Sequence, residues 1–126
     1  MDSDILRNVN MFSVLNDKEL DKIFSLSSVK KFSKGEMIFF DSEPYLGFYV
    51  VLEGSIKIFK IAGDGRERII HFVYPYNTFA EVPLFEQSEK IRNDMCAYPA
   101  NAMALEDDTL LILIRSMPFY DLLHKN

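Results

Sequence analysis

From Ser28 to Ile114 no pattern in this chain lasts long. Runs rich in Val, Ile, Leu and Phe are cut repeatedly by Gly, Pro, Asn or Asp. β-prone runs with turns every ~8–12 residues match a small β-sandwich or barrel. The spacing predicts strands at Ser28–Phe32, Met37–Phe40, Gly47–Glu53, Ser55–Ile61, Arg68–Val73, Asn101–Leu105 and Thr109–Ile114. Lys34-Gly35-Glu36, Ala62-Gly63-Asp64-Gly65 and Asp107-Asp108 supply turns between them. Gly54 sits between two strong runs as a bend or bulge.

Helical signals flank this region. Leu6, Val9 and Phe12 share a face near the start. Asn16-Asp17-Lys18-Glu19 has the form of a capping box, with Leu20, Ile23 and Phe24 following at helical spacing and Ser27-Ser28 ending the run. Near the other end Ser116 is placed as an N-cap, with Pro118 in the first turn. The expected organisation is one domain: helical over 1–27, a β-roll over about 28–115, and the start of a C-terminal helix over 116–126. The chain's 126 residues fit a single domain.

Charge and cysteine content narrow the function. Fourteen Lys and Arg stand against 19 Asp and Glu, a net charge of −5, and the pI is about 5.0. A free-standing nucleic-acid binder carries a basic patch and a high pI. Lys30-Lys31 with Lys34, and Arg66 with Arg68, are short clusters that read as solvated faces. The single cysteine, Cys96, can form no internal disulfide and no four-thiolate site. Its plainer reading is structural, since a redox sensor wants a partner thiol. No apolar run reaches the ~18 residues of a membrane span, and the acidic, mixed start lacks a signal-peptide core. The expected setting is cytoplasmic, with no membrane partner.

No nucleophile lies beside a base, and no phosphate-cradling glycine loop or metal-ligand spacing is present. His71 and His124 are too far apart in sequence to suggest a metal triad, which argues against a cupin-type enzyme on a similar roll. The chain is expected not to be an enzyme. The segment Thr78 to Leu105 is the informative part. Ala80-Glu-Val-Pro-Leu-Phe-Glu reads as a helical turn between strands, whose free amides could face an anion. Gln87 to Ala97 is a polar loop, and Tyr98-Pro-Ala-Asn-Ala leads back into a strand.

Several phrases, in this order and spacing, resemble the sensor domain of Crp/Fnr-type regulators, the cyclic-nucleotide-binding β-roll. They are Gly35-Glu36, Phe48 to Gly54, Asp64-Gly65-Arg66-Glu67, Phe79-Ala80-Glu81, and Ala100 to Asp107. The resemblance covers nearly the whole chain. It implies a mainly β fold with flanking helices, an eight-stranded double-stranded β-helix, or jelly roll, with a ligand pocket between its sheets. It also implies a long dimerisation helix and a winged helix-turn-helix beyond it, so DNA contact through a part missing here and a homodimeric full-length protein. A piece of such a regulator is the expectation, rather than a natural stand-alone sensor.

In members that bind cyclic nucleotides, a Gly-Glu pair reaches the ribose and an Arg-Ser/Thr-Ala run pairs its Arg with the cyclic phosphate. The resemblance aligns Ala80 with the Gly and Glu81 with the Glu. It aligns Tyr98 with the Arg, Pro99 with the Ser/Thr and Ala100 with the Ala, so the phosphate clamp is missing. A tyrosine hydroxyl does not replace a guanidinium fork. Lys90 and Arg92, in the loop, are solvated charges on the plainer reading; Arg92 is the better substitute clamp. The expected ligand-binding residues are Glu81, Ala80, Val82, Tyr98, Pro99, Ala100 and Arg92. Some family members bind haem through a histidine, but His71 reads as structural. An iron–sulfur cluster would need cysteines that Met1 to Asn16 lacks, so no cofactor or metal is assigned. The expected function is sensing of a small molecule that is not a standard cyclic nucleotide. The alternatives are a cyclic-nucleotide site with a non-standard phosphate clamp, and a ligand-free interaction module.

Overall fold

The computed structural model describes residues 3–81 and 96–115. Two 3-10 turns, Ser3–Asn8 and Asn10–Phe12, precede helix α1, Asp17–Ser25. The interval of three between Leu6, Val9 and Phe12 is the 3-10 period, and all three side chains are buried. α1 begins where the sequence indicates. The Asn16 side chain accepts from the Glu19 amide at 2.8 Å, and the Glu19 carboxylate accepts from the Asn16 amide at 3.0 Å. Leu20 and Ile23 turn inward from this helix.

Eight strands follow: β1 Ser27–Phe32, β2 Met37–Phe39, β3 Gly47–Glu53, β4 Ile56–Ile61, β5 Glu67–Val73, β6 Thr78–Phe79, β7 Asn101–Ala104 and β8 Thr109–Arg115. They form two four-stranded antiparallel sheets, ordered β1-β8-β3-β6 and β2-β7-β4-β5. This is the two-sheet β architecture expected from the strand spacing, in the jelly-roll form that the family resemblance implies. The two-residue β6 is the strand the sequence pattern does not announce. The helix opening at Ser116, with His124, lies outside the described residues.

The central strands of the first sheet, β3 and β8, are buried on both faces, so they do not alternate between buried and exposed positions. Gly47 to Leu52 and Leu111 to Ile114 are buried without a break. Phe48 faces outward onto the N-terminal helical layer, its ring 6.4 Å from that of Phe12. Tyr49, the next residue, faces inward and stacks on Phe79 at 5.2 Å. Each such side chain contributes roughly 1.5–3 kcal/mol on burial. β3 and β8 also press together closely. A Cβ added at Gly47 would lie 2.1 Å from the Ile114 carbonyl oxygen. At the far end of β3, Gly54 turns the chain at φ +85°, where a Cβ would meet the Thr109 hydroxyl oxygen at 2.4 Å.

The second sheet is covered on its inner face. β5 is one of its two edge strands, and only Val73 in it is buried. Its register against β4 runs Ile58↔His71 and then Phe59↔Ile69, which leaves Ile70 as an extra residue in a bulge. This bulge breaks the plain alternation of Ile69 and His71 with Ile70 and Phe72, and it bears on the site.

Candidate ligand-binding site

A cavity of about 220 Å³ opens between the sheets, just below the ~300 Å³ lower end of ordinary small-molecule pockets. Among the described residues its wall is mostly hydrocarbon: Phe39 from β2, Ile58 from β4, Ile70 from β5, Phe79 from β6, and Pro99 with Ala100. The bulge in β5 brings both Ile70 and His71 to this wall. The remaining contributors are Ala80 and Glu81, directly after β6.

Ala80 holds φ at +67°. That left-handed geometry costs a residue with a Cβ about 1–2 kcal/mol, and glycine adopts it freely. The conformation agrees with the alignment of Ala80 to a glycine. Glu81, half-buried, comes next on the cavity wall, and its carboxylate accepts from the Thr78 hydroxyl at 3.1 Å. Four of the expected site residues, Ala80, Glu81, Pro99 and Ala100, therefore meet at one cavity. Val82, Arg92 and Lys90 lie outside the described residues, as does the rest of the expected helical turn after Glu81.

Tyr98, an expected ligand contact, is not among the described residues that line the cavity. Its side chain is directed into the roll, 2% exposed. The hydroxyl donates to the Gly47 carbonyl at 2.8 Å and accepts from the Gly47 and Leu46 amides, each at 3.3 Å. The ring stacks on Phe39 at 3.8 Å between centroids, almost parallel at 6°. Tyr98 thus stands behind the cavity wall and supports it. The physical reason is that a phenol can satisfy its one hydroxyl on a strand end inside an apolar layer, whereas a guanidinium there would be an unpaired buried charge.

Three phenols surround this wall. Burial pushes the pKa of Tyr45, Tyr49 and Tyr98 up, each as the leading cause. Neighbouring Tyr98 and Cys96 add to the effect on Tyr45, while the backbone amides of Leu46 and Gly47 work against it on Tyr98. All three therefore act as neutral donors or acceptors at physiological pH. Cys96 is buried beside them.

His71, given a structural reading in the sequence, stands on the cavity wall and is exposed. The wall residues Phe39, Ile58 and Ile70 carry no chemical signature. Ile58 and His71 come together as cross-strand partners in the β4–β5 register. Among the described residues no helix is long and apolar enough to cross a membrane.

Comparison with known proteins agrees with this geometry. The chain is 25% identical over 108 residues to the cyclic AMP receptor protein of Thermus thermophilus, matching 86% of this chain and 50% of that protein. It is 34% identical over 70 residues to the nitrogen fixation regulation protein FixK of Bradyrhizobium diazoefficiens, 56% of this chain and 30% of that protein. The fold superposes with a TM-score of 0.86 on the sensor domain of the transcriptional regulator DNR from Pseudomonas aeruginosa. That match has 26% identity and covers 98% of this chain and 77% of the other. The chain spans about half the length of the first curated relatives it matches. A regulation protein and a transcriptional regulator's sensor domain are thus among the relatives, as the Crp/Fnr-type resemblance implied. A family model described as the cyclic nucleotide-binding domain matches residues 29–126, from β1 to the last residue of the chain. By this match and by the jelly roll with its turn at Ala80–Glu81, the chain belongs to the cyclic nucleotide-binding domain family.

Proposed function

We propose that this chain is the effector-sensing module of a Crp/Fnr-type transcription regulator, and that its cavity takes a small molecule other than a cyclic nucleotide. The carrying observation is Tyr98. It aligns with the family's phosphate-pairing Arg, yet its hydroxyl is tied to Gly47 and its ring backs the wall. The described wall offers one carboxylate, Glu81, one imidazole, His71, and no Lys or Arg. A phosphate drawn into that environment would lack its counter-charge, which costs several kcal/mol. A compact apolar molecule with one hydrogen-bond donor for Glu81 suits it better.

In this reading Glu81, Ala80, Pro99 and Ala100 touch the effector, with Val82 beside them, and Arg92 stays outside the site. The module is not an enzyme and needs no cofactor or metal. DNA contact belongs to a segment outside this chain, the full-length protein is a homodimer, and the setting is the cytoplasm. Switching needs only a few kcal/mol of differential binding between two arrangements of the regulator.

A second reading keeps the site and makes the ligand a cyclic nucleotide, with Arg92 as the phosphate clamp. The family's description and a relative named cyclic AMP receptor protein favour it. Calorimetric titration with cyclic AMP and cyclic GMP at physiological salt separates the two. The expected result is no binding in the micromolar range or tighter. Micromolar binding that Arg92→Ala abolishes would establish the second reading and refute the first.

A further inference from the structure

The turn that presents Glu81 has a brace on a different part of the chain. The loop between β2 and β3 runs beside residues 96–98 and is laced to them by backbone bonds. The Ser42 amide donates to the Tyr98 carbonyl at 2.8 Å, the Tyr98 amide to the Glu43 carbonyl at 2.9 Å, and the Tyr45 amide to the Cys96 carbonyl at 3.0 Å. Pro44 and Ala97 pair as a β-bridge within this lacing. Tyr45 is thereby fixed through its backbone, and its ring is 8% exposed, tilted against Tyr98 at 4.9 Å. The hydroxyl of this fixed ring donates to the carbonyl oxygen of Ala80.

That carbonyl is a sensitive point. It shares a rigid peptide plane with the Glu81 amide, so whatever orients it also orients the backbone from which Glu81 projects. Ala80 itself is at φ +67°, a geometry that persists only where its surroundings enforce it. The Glu81 side chain is held from the other side by the Thr78 hydroxyl. A single residue, Tyr45, therefore contacts the chain on both sides of residues 82–95, Ala80 through its hydroxyl and Cys96 through its amide.

We propose that Tyr45 is a positioning residue for the ligand site: its hydroxyl sets the Ala80–Glu81 peptide plane and so aims the Glu81 carboxylate at the cavity. The inference rests on the reading that the cavity takes a small ligand at Glu81. Tyr45 does not line the cavity and acts through Ala80.

The test is carbon-13 NMR on the whole chain, following the Ala80 carbonyl and the Glu81 carboxyl carbons. Wild type is compared with Tyr45→Phe, with replacement of Tyr45 by 4-aminophenylalanine, and with Tyr98→Phe. Indole, an apolar ring with one N–H donor, is titrated into each. In Tyr45→Phe the Ala80 carbonyl is expected to move upfield as its hydrogen bond is lost, and the Glu81 carboxyl resonance to move with it. The 4-amino group restores an N–H donor and should return both signals toward wild type. Tyr98→Phe removes a hydroxyl from the same aromatic group but none from Ala80, and should leave the Ala80 carbonyl in place. Indole affinity should fall about tenfold in Tyr45→Phe, the effect of one lost hydrogen bond on a positioned group. If the Ala80 carbonyl or the Glu81 carboxyl stays unmoved in Tyr45→Phe, the positioning role is refuted. If both move but indole perturbs no cavity resonance even in wild type, the positioning role stands and the small-ligand reading is what fails.

Discussion

Removing the hydroxyl of Tyr98 tests whether this residue belongs to the wall or to the ligand. Tyr98→Phe keeps the ring, and with it the 3.8 Å stack on Phe39, so no large void forms. What disappears is an oxygen that serves the Gly47 carbonyl at 2.8 Å and two amides at 3.3 Å. The amide contacts are long and add little. The carbonyl contact is short and buried, and leaving such a group facing hydrocarbon costs about 1–3 kcal/mol. A working value of ~2 kcal/mol corresponds to a fall in Tm of roughly 8 °C for a domain of this size. Urea denaturation measures it, with an unchanged m-value showing that the unfolded state is not the cause. Tyr74→Phe, at a side chain 57% exposed, is the control and should stay within about 0.5 kcal/mol of wild type. A cost below about 0.5 kcal/mol for Tyr98→Phe would refute the reasoning. The hydroxyl would then be free to satisfy itself elsewhere, and Tyr98 would return to the set of ligand contacts.

Glu81→Gln keeps an acceptor for the Thr78 hydroxyl, so thermal melting should show a loss of at most about 1 kcal/mol, while affinity for a bound effector falls about tenfold or more; a large drop in Tm with unchanged affinity would make Glu81 part of the scaffold. Ala80→Gly relieves a left-handed strain of about 1–2 kcal/mol and loses about 0.4–1 kcal/mol to unfolded-state entropy, so its Tm should equal or exceed that of wild type; destabilisation by more than about 1 kcal/mol would contradict the observed backbone. Tyr45, Tyr49 and Tyr98 are held above the ordinary tyrosine value of 10.0 in the folded state. The folded state then binds more protons than the unfolded state above that pH, so their contribution to stability is full below it and lost as pH rises. Ultraviolet difference absorbance during alkaline titration should show these phenols ionising together with unfolding; their ionisation in a still-folded protein would overturn the prediction.

What could be read from the sequence was local. The capping box needs only Asn16 and Glu19, three residues apart, and the strand limits need only β-prone runs and the turns that cut them. The turn at Ala80–Glu81 was legible through its resemblance to a Gly-Glu pair, and Ala80 at φ +67° holds a backbone that glycine adopts freely. The tertiary structure decided the rest, because it depends on partners far along the chain. Whether Tyr98 faces the cavity or the core is settled at Gly47, 51 residues away. The wall of Phe39, Ile58, Ile70 and His71 is assembled from three strands, and a one-residue bulge in β5 decides which of its side chains reach it. β6 exists because two residues find β3 beside them, a pairing that no propensity over so short a run can announce. Propensity and capping act over a few residues, so sequence reports them directly. The direction of a side chain in a two-sheet roll depends on register and packing between strands, and these are fixed only when the strands meet.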